Sequence, residues 1–159
     1  MRLRGRGEGE RSVSIDVSTE IVIDRPIERV ADYSANPDNA PKWYENIEAV
    51  EWKTAKPLKA GSRVVFTANF LGRTLVYTYE VVEFVPRELL VMRSVKGPLP
   101  METTYVWRAT SDGKTHMTLR NRGFPAGFVR VAAPLVALAM RRANRKDLRK
   151  LKQLLEVKP

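Results

Sequence analysis

The sequence contains no cysteine and a single histidine, His116. Disulfides and thiolate metal centres are therefore excluded, and a histidine metal cluster or a Ser/His/Asp triad has only one imidazole to draw on. Phosphate-cradling glycine loops and dinucleotide fingerprints are also missing. No apolar run approaches the roughly 20 residues of a membrane-spanning helix. The opening MRLRGRGEGERS (1–12) is basic and lacks the apolar stretch of a signal peptide. These absences lead us to expect a cytoplasmic protein with no metal and no cofactor.

What is present is one domain's worth of chain. Its 159 residues, 43% hydrophobic and 29% charged, suffice for a sizeable core. The net charge of +10 gathers at the ends. Residues 141–159 hold eight Lys/Arg against two Asp/Glu, and residues 1–12 hold four Arg against two Glu. The body is nearly balanced, so the fold itself need not bind nucleic acid, and none is expected. The Gly, Arg and Glu of 1–12 read as a disordered basic arm, and 13–157 as a single domain.

Alternation of Val13, Ile15, Val17, Ile21 and Ile23 predicts a first strand. DRPIERVADYS then reads as a helix entered at Pro26, with Asp24 and Glu28 near its N-terminus. In NPDNAP (36–41), Asn36 can cap and Pro37 can start a second helix that Pro41 holds to about one turn. Six strand-like runs follow, at 46–54, 62–70, 73–84, 88–95, 101–110 and 114–122, separated by short turn signals that require antiparallel pairing. The segment 128–156 then predicts one long helix, with Pro134 either bending it or marking its start. Strand, two short helices, six-strand meander and long helix make an α+β domain.

That order resembles the SRPBCC superfamily, also called START-like or helix-grip, and within it the polyketide cyclase/dehydrase-like branch. The residues that carry the resemblance are IVIDRPIERVADYSANPDNAPKWYENI, the VPRELLVMRS hairpin and the final DLRKLKQLLE. It implies a seven-stranded curved antiparallel sheet wrapped around the C-terminal helix, two short helices between strands 1 and 2, and an apolar cavity between sheet and helix.

Strand parity bears on such a cavity independently. Phe66, Ala68 and Phe70 share one face, as do Tyr77 and Tyr79, Tyr105 and Trp107, and Met117 and Leu119. Three tyrosines and a tryptophan on one face each need a partner for a polar atom, which a simple aliphatic core avoids. A pocket supplies such partners, although the same rings could fill a core. The expected ligand-lining set adds Trp43 and Tyr44 at the rim, Val91, and Leu135 and Leu138 from the last helix. One of the two adjacent rings, Trp43 or Tyr44, should wedge inward and the other should face the opening.

Catalytic signals are sparse. His116 points outward by parity, and the acids Glu48, Glu80, Glu83 and Glu102 fall on outward or terminal positions. Cyclases of this fold can act by orienting a poly-keto chain, with tyrosines or an arginine polarising its carbonyls. Tyr77, Tyr79, Tyr105 and Arg93 are the candidates for that role. Arg93 stays open: inward it would anchor a carboxylate or phenolate, and outward it is a solvated charge. The run 131–140 is apolar on all sides, so its back is expected either to be enclosed by the short helices and a loop or to meet another subunit or a membrane.

The reading is therefore a protein that binds a small hydrophobic or aromatic ligand, lipid-like or polyketide-like, as a monomer or homodimer. The alternatives are a polyketide cyclase/dehydratase and a weak contact of the basic C-terminal helix with anionic membrane.

Overall fold

The structure, a computed structural model, describes residues 15–125 and 129–157. The expected basic arm over 1–12 lies outside the described residues. In β1 (Ile15–Ile23) the side chains of Ile15, Val17, Thr19 and Ile23 are buried and the even positions are exposed. The helix α1 (Ile27–Ala35) begins after Pro26, with Glu28 in its first turn and Val30, Ala31 and Ser34 turned inward. Asn36 accepts a hydrogen bond from the Asp38 amide at 3.0 Å. That cap opens a 3-10 turn, Pro37–Asn39, which runs into the four-residue α2 (Ala40–Trp43).

The meander follows as β2 (Ile47–Trp52), β3 (Arg63–Phe70), β4 (Arg73–Val85), β5 (Leu89–Lys96), β6 (Met101–Ala109) and β7 (Thr115–Gly123). All pairs are antiparallel, in the order β1-β7-β6-β5-β4-β3-β2. Consecutive strands β1 and β2 thus occupy opposite edges, and α1 and α2 bridge them across one face. Register shifts between Ile47 and Ala49, Thr78 and Tyr79, and Val81 and Glu83 mark bulges, which add twist and bend where the sheet must curl. The last of these resets parity in β4, so Val81 and Phe84 turn to the core while Glu83 turns out. Leu71 and Gly72, with φ of 51° and 74°, form the two-residue turn joining β3 to β4.

The last helix, α3 (Val129–Glu156), runs unbroken through Pro134 for 28 residues, roughly 42 Å at the α-helical rise. Its buried positions are Ala133, Asn144, Asp147, Leu148, Leu151 and Leu155, one stripe at helical spacing. That stripe packs chiefly on β1, with α2 and α1 at its flank. Leu148, Leu151 and Leu155 join Ile23, Val30, Trp43, Leu90, Tyr105, Trp107, Met117 and Leu119 in the main core. Ala133 closes a second cluster with Ile15 and Val17. This is the helix-grip arrangement that the resemblance implied. The back of 131–140 is not enclosed among the described residues: Val131 is 85% and Leu135 73% exposed.

Candidate functional site

Because α3 lies over β1, it covers the sheet's concave face unevenly. Tyr105, Trp107, Met117 and Leu119 on β6 and β7 are buried. On β3 and β4, Ala68, Phe70, Tyr77 and Tyr79 share the same face and are only half-buried, while Phe66 is nearly enclosed. The aromatic rings form two groups. Trp43, Tyr44, Tyr105 and Trp107 make one, with centroids 3.9 Å apart for Trp43–Tyr44, 6.0 Å for Trp43–Tyr105 and 5.9 Å for Tyr105–Trp107. Phe66, Tyr79 and Tyr77 make the other, at 5.8 and 5.7 Å. Gly97 allows the second group to form: a Cβ on it would stand 2.3 Å from Cδ1 of Tyr77.

Several polar side chains are also buried on this side of the sheet. The hydroxyls of Tyr44 and Tyr105 bond to each other. Asp147, buried on α3, accepts a 3.0 Å hydrogen bond from the Glu45 amide. Three residues before it, Asn144 is equally buried, and its Nδ2 has no hydrogen-bond partner among the described residues. The same holds for Nε1 of Trp43, which is fully buried. Further along the face, the Thr103 hydroxyl donates to Oδ1 of buried Asn121 at 2.7 Å. Trp107, in contrast, is satisfied: its Nε1 donates to Ser34 Oγ at 2.9 Å, and Ser34 donates on to the Val30 carbonyl.

The electrostatics follow from this enclosure. Burial raises the Tyr44 phenol well above its ordinary value, and the charge of Asp147 adds to that shift. Tyr105 is raised by burial despite its bond to Tyr44, and Tyr79 is raised by burial despite the Thr103 hydroxyl beside it. All three phenols are therefore neutral donors at any ordinary pH. Desolvation pushes the Asp147 carboxyl up to about 6, against the opposing pull of the Glu45 amide, Lys150 and Lys146. A carboxyl titrating near neutrality beside two neutral phenols can hold a proton or accept one.

Several expected site residues lie elsewhere. Val91 and Arg93 face the outer side of the sheet, because inward positions on β5 belong to Leu90 and Met92, opposite Tyr105 and Thr103. Arg93 is exposed and pairs with Glu102 at 2.7 Å, so it is not a ligand anchor or a catalytic group in the interior. Glu102 in turn is largely buried between Arg93 and Arg122. Leu135 and Leu138 leave α3 on the side away from the sheet, 73% and 45% exposed. Of the adjacent pair in the NPDNAPKWYENI stretch, Trp43 is the buried wedge, whereas Tyr44 is half-buried with its hydroxyl bonded to that of Tyr105.

Asp147, Asn144 and Thr103 were not among the residues expected from sequence, and Asn121, for which a turn or rim role was expected, is buried. The signal for Asp147 was its helical spacing, four residues before Leu151 on the apolar stripe. Two open clefts lie outside the expected set altogether. One, about 310 Å³, sits between α1, the β2–β3 connection and the end of β4, against Ala31, Leu58 and Phe84. The other is a broad polar trough of about 730 Å³ on the outer face of β1, β7 and β6. It contains Asp16–Arg120 and His116–Glu20 pairs at 2.6 and 3.2 Å, which places His116 outside the core. Among the described residues no cluster of three His, Cys, Asp or Glu gathers as a metal site would require.

A family model described as "Polyketide cyclase / dehydrase and lipid transport" matches residues 14–156. No curated protein matches the sequence. Solved structures do resemble the fold. A Thermus thermophilus protein is 19% identical, covering 88% of this chain and 96% of that one, with a TM-score of 0.76. The Zhui aromatase/cyclase of a Streptomyces species is 15% identical, at 89% and 93% coverage and a TM-score of 0.75. A START superfamily protein of Mycobacterium smegmatis is 12% identical, at 89% and 97% coverage and a TM-score of 0.74. At these identities the structures establish the shared fold alone. The family match spans nearly the whole chain, which belongs to the polyketide cyclase/dehydrase and lipid-transport family.

Proposed function

We propose that this family member binds a small, largely hydrophobic or aromatic molecule on the concave face along β3 and β4, with a polar end directed at Tyr44, Tyr105 and Asp147. The observation that carries the reading is the pair of orphaned buried donors, Trp43 Nε1 and Asn144 Nδ2, one adjacent in sequence to Tyr44 and the other about one helical turn before Asp147. Buried donors without acceptors cost about 1–3 kcal/mol each, and a carbonyl or phenolic oxygen entering there would remove that cost. The half-buried Phe70, Tyr77 and Tyr79 supply an apolar wall where α3 does not reach. Lipids and polyketides both join an apolar body to a carbonyl-bearing end and fit this division.

Mass spectrometry of organic extracts, together with uptake of a hydrophobic fluorescent probe, tests this reading. We expect a stoichiometric small molecule or saturable uptake, weakened by Phe70→Ser. Empty extracts and no uptake refute it. A second reading, cyclisation or dehydration of a bound poly-keto chain, is favoured by Asp147, whose carboxyl titrates near neutrality beside two phenolic donors. Tyr105 could polarise a carbonyl while Asp147 takes up the proton lost in enolisation. An unchanged product profile when a poly-β-keto thioester is incubated with and without the protein counts against it.

A further inference from the structure

The solvent side of α3 has two halves. Directly opposite its buried stripe lie Val131, Leu135 and Leu138, followed on the same line by Arg142, Arg145 and Arg149. The first three are 85%, 73% and 45% exposed, and the three arginines are exposed in turn. Lys146 and Lys150 flank the cationic half. From 129 to 155 the helix has one acid, Asp147, and that acid is buried. Arg142, Arg145, Arg149 and Lys150 have no salt-bridge partner among the described residues, whereas Lys146 lies 3.4 Å from Glu45. Apolar contact area and unpaired cations thus share one line along about 27 Å of helix.

We propose that this outer face of α3 docks on an anionic lipid surface, with Val131, Leu135 and Leu138 entering the headgroup boundary and the arginines reaching lipid phosphates. Among the described residues no helix is long and apolar enough to cross a membrane, so the contact is peripheral. A helix lying in the interface plane buries its apolar side chains about 5–10 Å deep while its cations meet anionic headgroups. Charge complementarity selects this occupant. A second copy of the chain would bring another +10 molecule. Three apolar side chains over two turns also fall well short of the roughly 800 Å² per partner that a stable dimer buries. A dimer centred on them would leave the cationic half without a role. The inference stands apart from the interior ligand site, since none of these side chains faces it.

The test is co-sedimentation with phosphatidylcholine vesicles, with and without phosphatidylglycerol, at low and high salt. The variants are Leu135→Gln/Leu138→Gln and Arg142→Gln/Arg145→Gln. All four positions are exposed, so thermal melting and interior probe uptake should match wild type and certify the fold. We expect wild type to bind the phosphatidylglycerol vesicles at low salt and to weaken as salt rises. The arginine variant should lose about tenfold or more in partitioning and most of its salt dependence. The leucine variant should lose about tenfold at both salts. Three results overturn the proposal: no binding at low salt, equal binding to neutral vesicles, or wild-type binding by either variant. A dimer in sedimentation velocity that Leu135→Gln/Leu138→Gln dissolves would give the face to a second copy and overturn it as well.

Discussion

Replacing Asp147 by Asn should stabilise the protein at alkaline pH and not at acid pH. The carboxyl is 3% exposed, and its folded pKa of about 6 stands against an ordinary value of 3.8. A folded value raised above the unfolded one means that the native state holds the proton more tightly. Stability is then greatest below the unfolded value and falls as pH rises through the folded one. A difference of about two pKa units corresponds to ~3 kcal/mol of lost stability, fully developed by about pH 8. Asn reproduces the neutral acid, keeping an oxygen that can accept from the Glu45 amide. Its NH₂ needs a partner of its own, which offsets about 1 kcal/mol. The net expectation is ~2 kcal/mol at about pH 8, or roughly 4–8 °C in melting temperature for a chain of this size. Between about pH 8 and pH 4 the wild type should recover most of that gap. The groups facing this carboxyl are Glu45, Lys146, Lys150 and the phenols of Tyr44 and Tyr105, and burial holds both phenols above that window. Thermal melts of both proteins across the range decide the matter. Parallel pH profiles, or a less stable variant at about pH 8, would refute the assignment of Asp147 as a desolvated interior acid.

Tyr105→Phe leaves the Tyr44 hydroxyl enclosed without its partner, and should cost about 1–3 kcal/mol in urea denaturation and weaken interior probe binding as well. Arg93→Ala removes one of two arginines at Glu102 on the outer face. It should change stability by about 1 kcal/mol or less and leave probe binding at the wild-type value; a binding loss would contradict the outward placement. Gly97→Ala drives a Cβ into the Tyr77 ring at a φ of 153°, and should cost about 1–3 kcal/mol, with a change in near-ultraviolet circular dichroism as the ring moves. An unaltered aromatic spectrum would show that Tyr77 does not rest on that backbone.

The parts of this structure that were legible in the sequence are those where one physical rule acts alone. Alternation assigned the inner faces of β3, β6 and β7, because each pairs a polar row with an apolar one. The turn chemistry at Asn36–Pro37 and Leu71–Gly72 placed the chain reversals for the same reason. On β5 both faces are apolar, so parity was silent about Val91 and Arg93, and the answer lay in a neighbouring strand. Arg93 stands opposite Glu102, and Glu102 opposite Arg122, which makes a row of alternating charge that only pairing register reveals. On α3 the leucines at 148, 151 and 155 set the phase of the helix. Followed backwards, that phase puts Asp147, Asn144 and Ala133 beneath the helix and Leu135 and Leu138 above it. An apolar run uniform on every side hid the phase locally, and an acid among leucines looked like surface. The helix therefore places an acid against the sheet and leucines toward water, and these two departures from ordinary partitioning have separate consequences. The buried acid, with orphaned donors at Asn144 on the same helix and at Trp43, supports the proposed polar group inside. Exposed leucines in line with arginines that lack a salt-bridge partner among the described residues support the proposed docking on a surface that is both apolar and anionic.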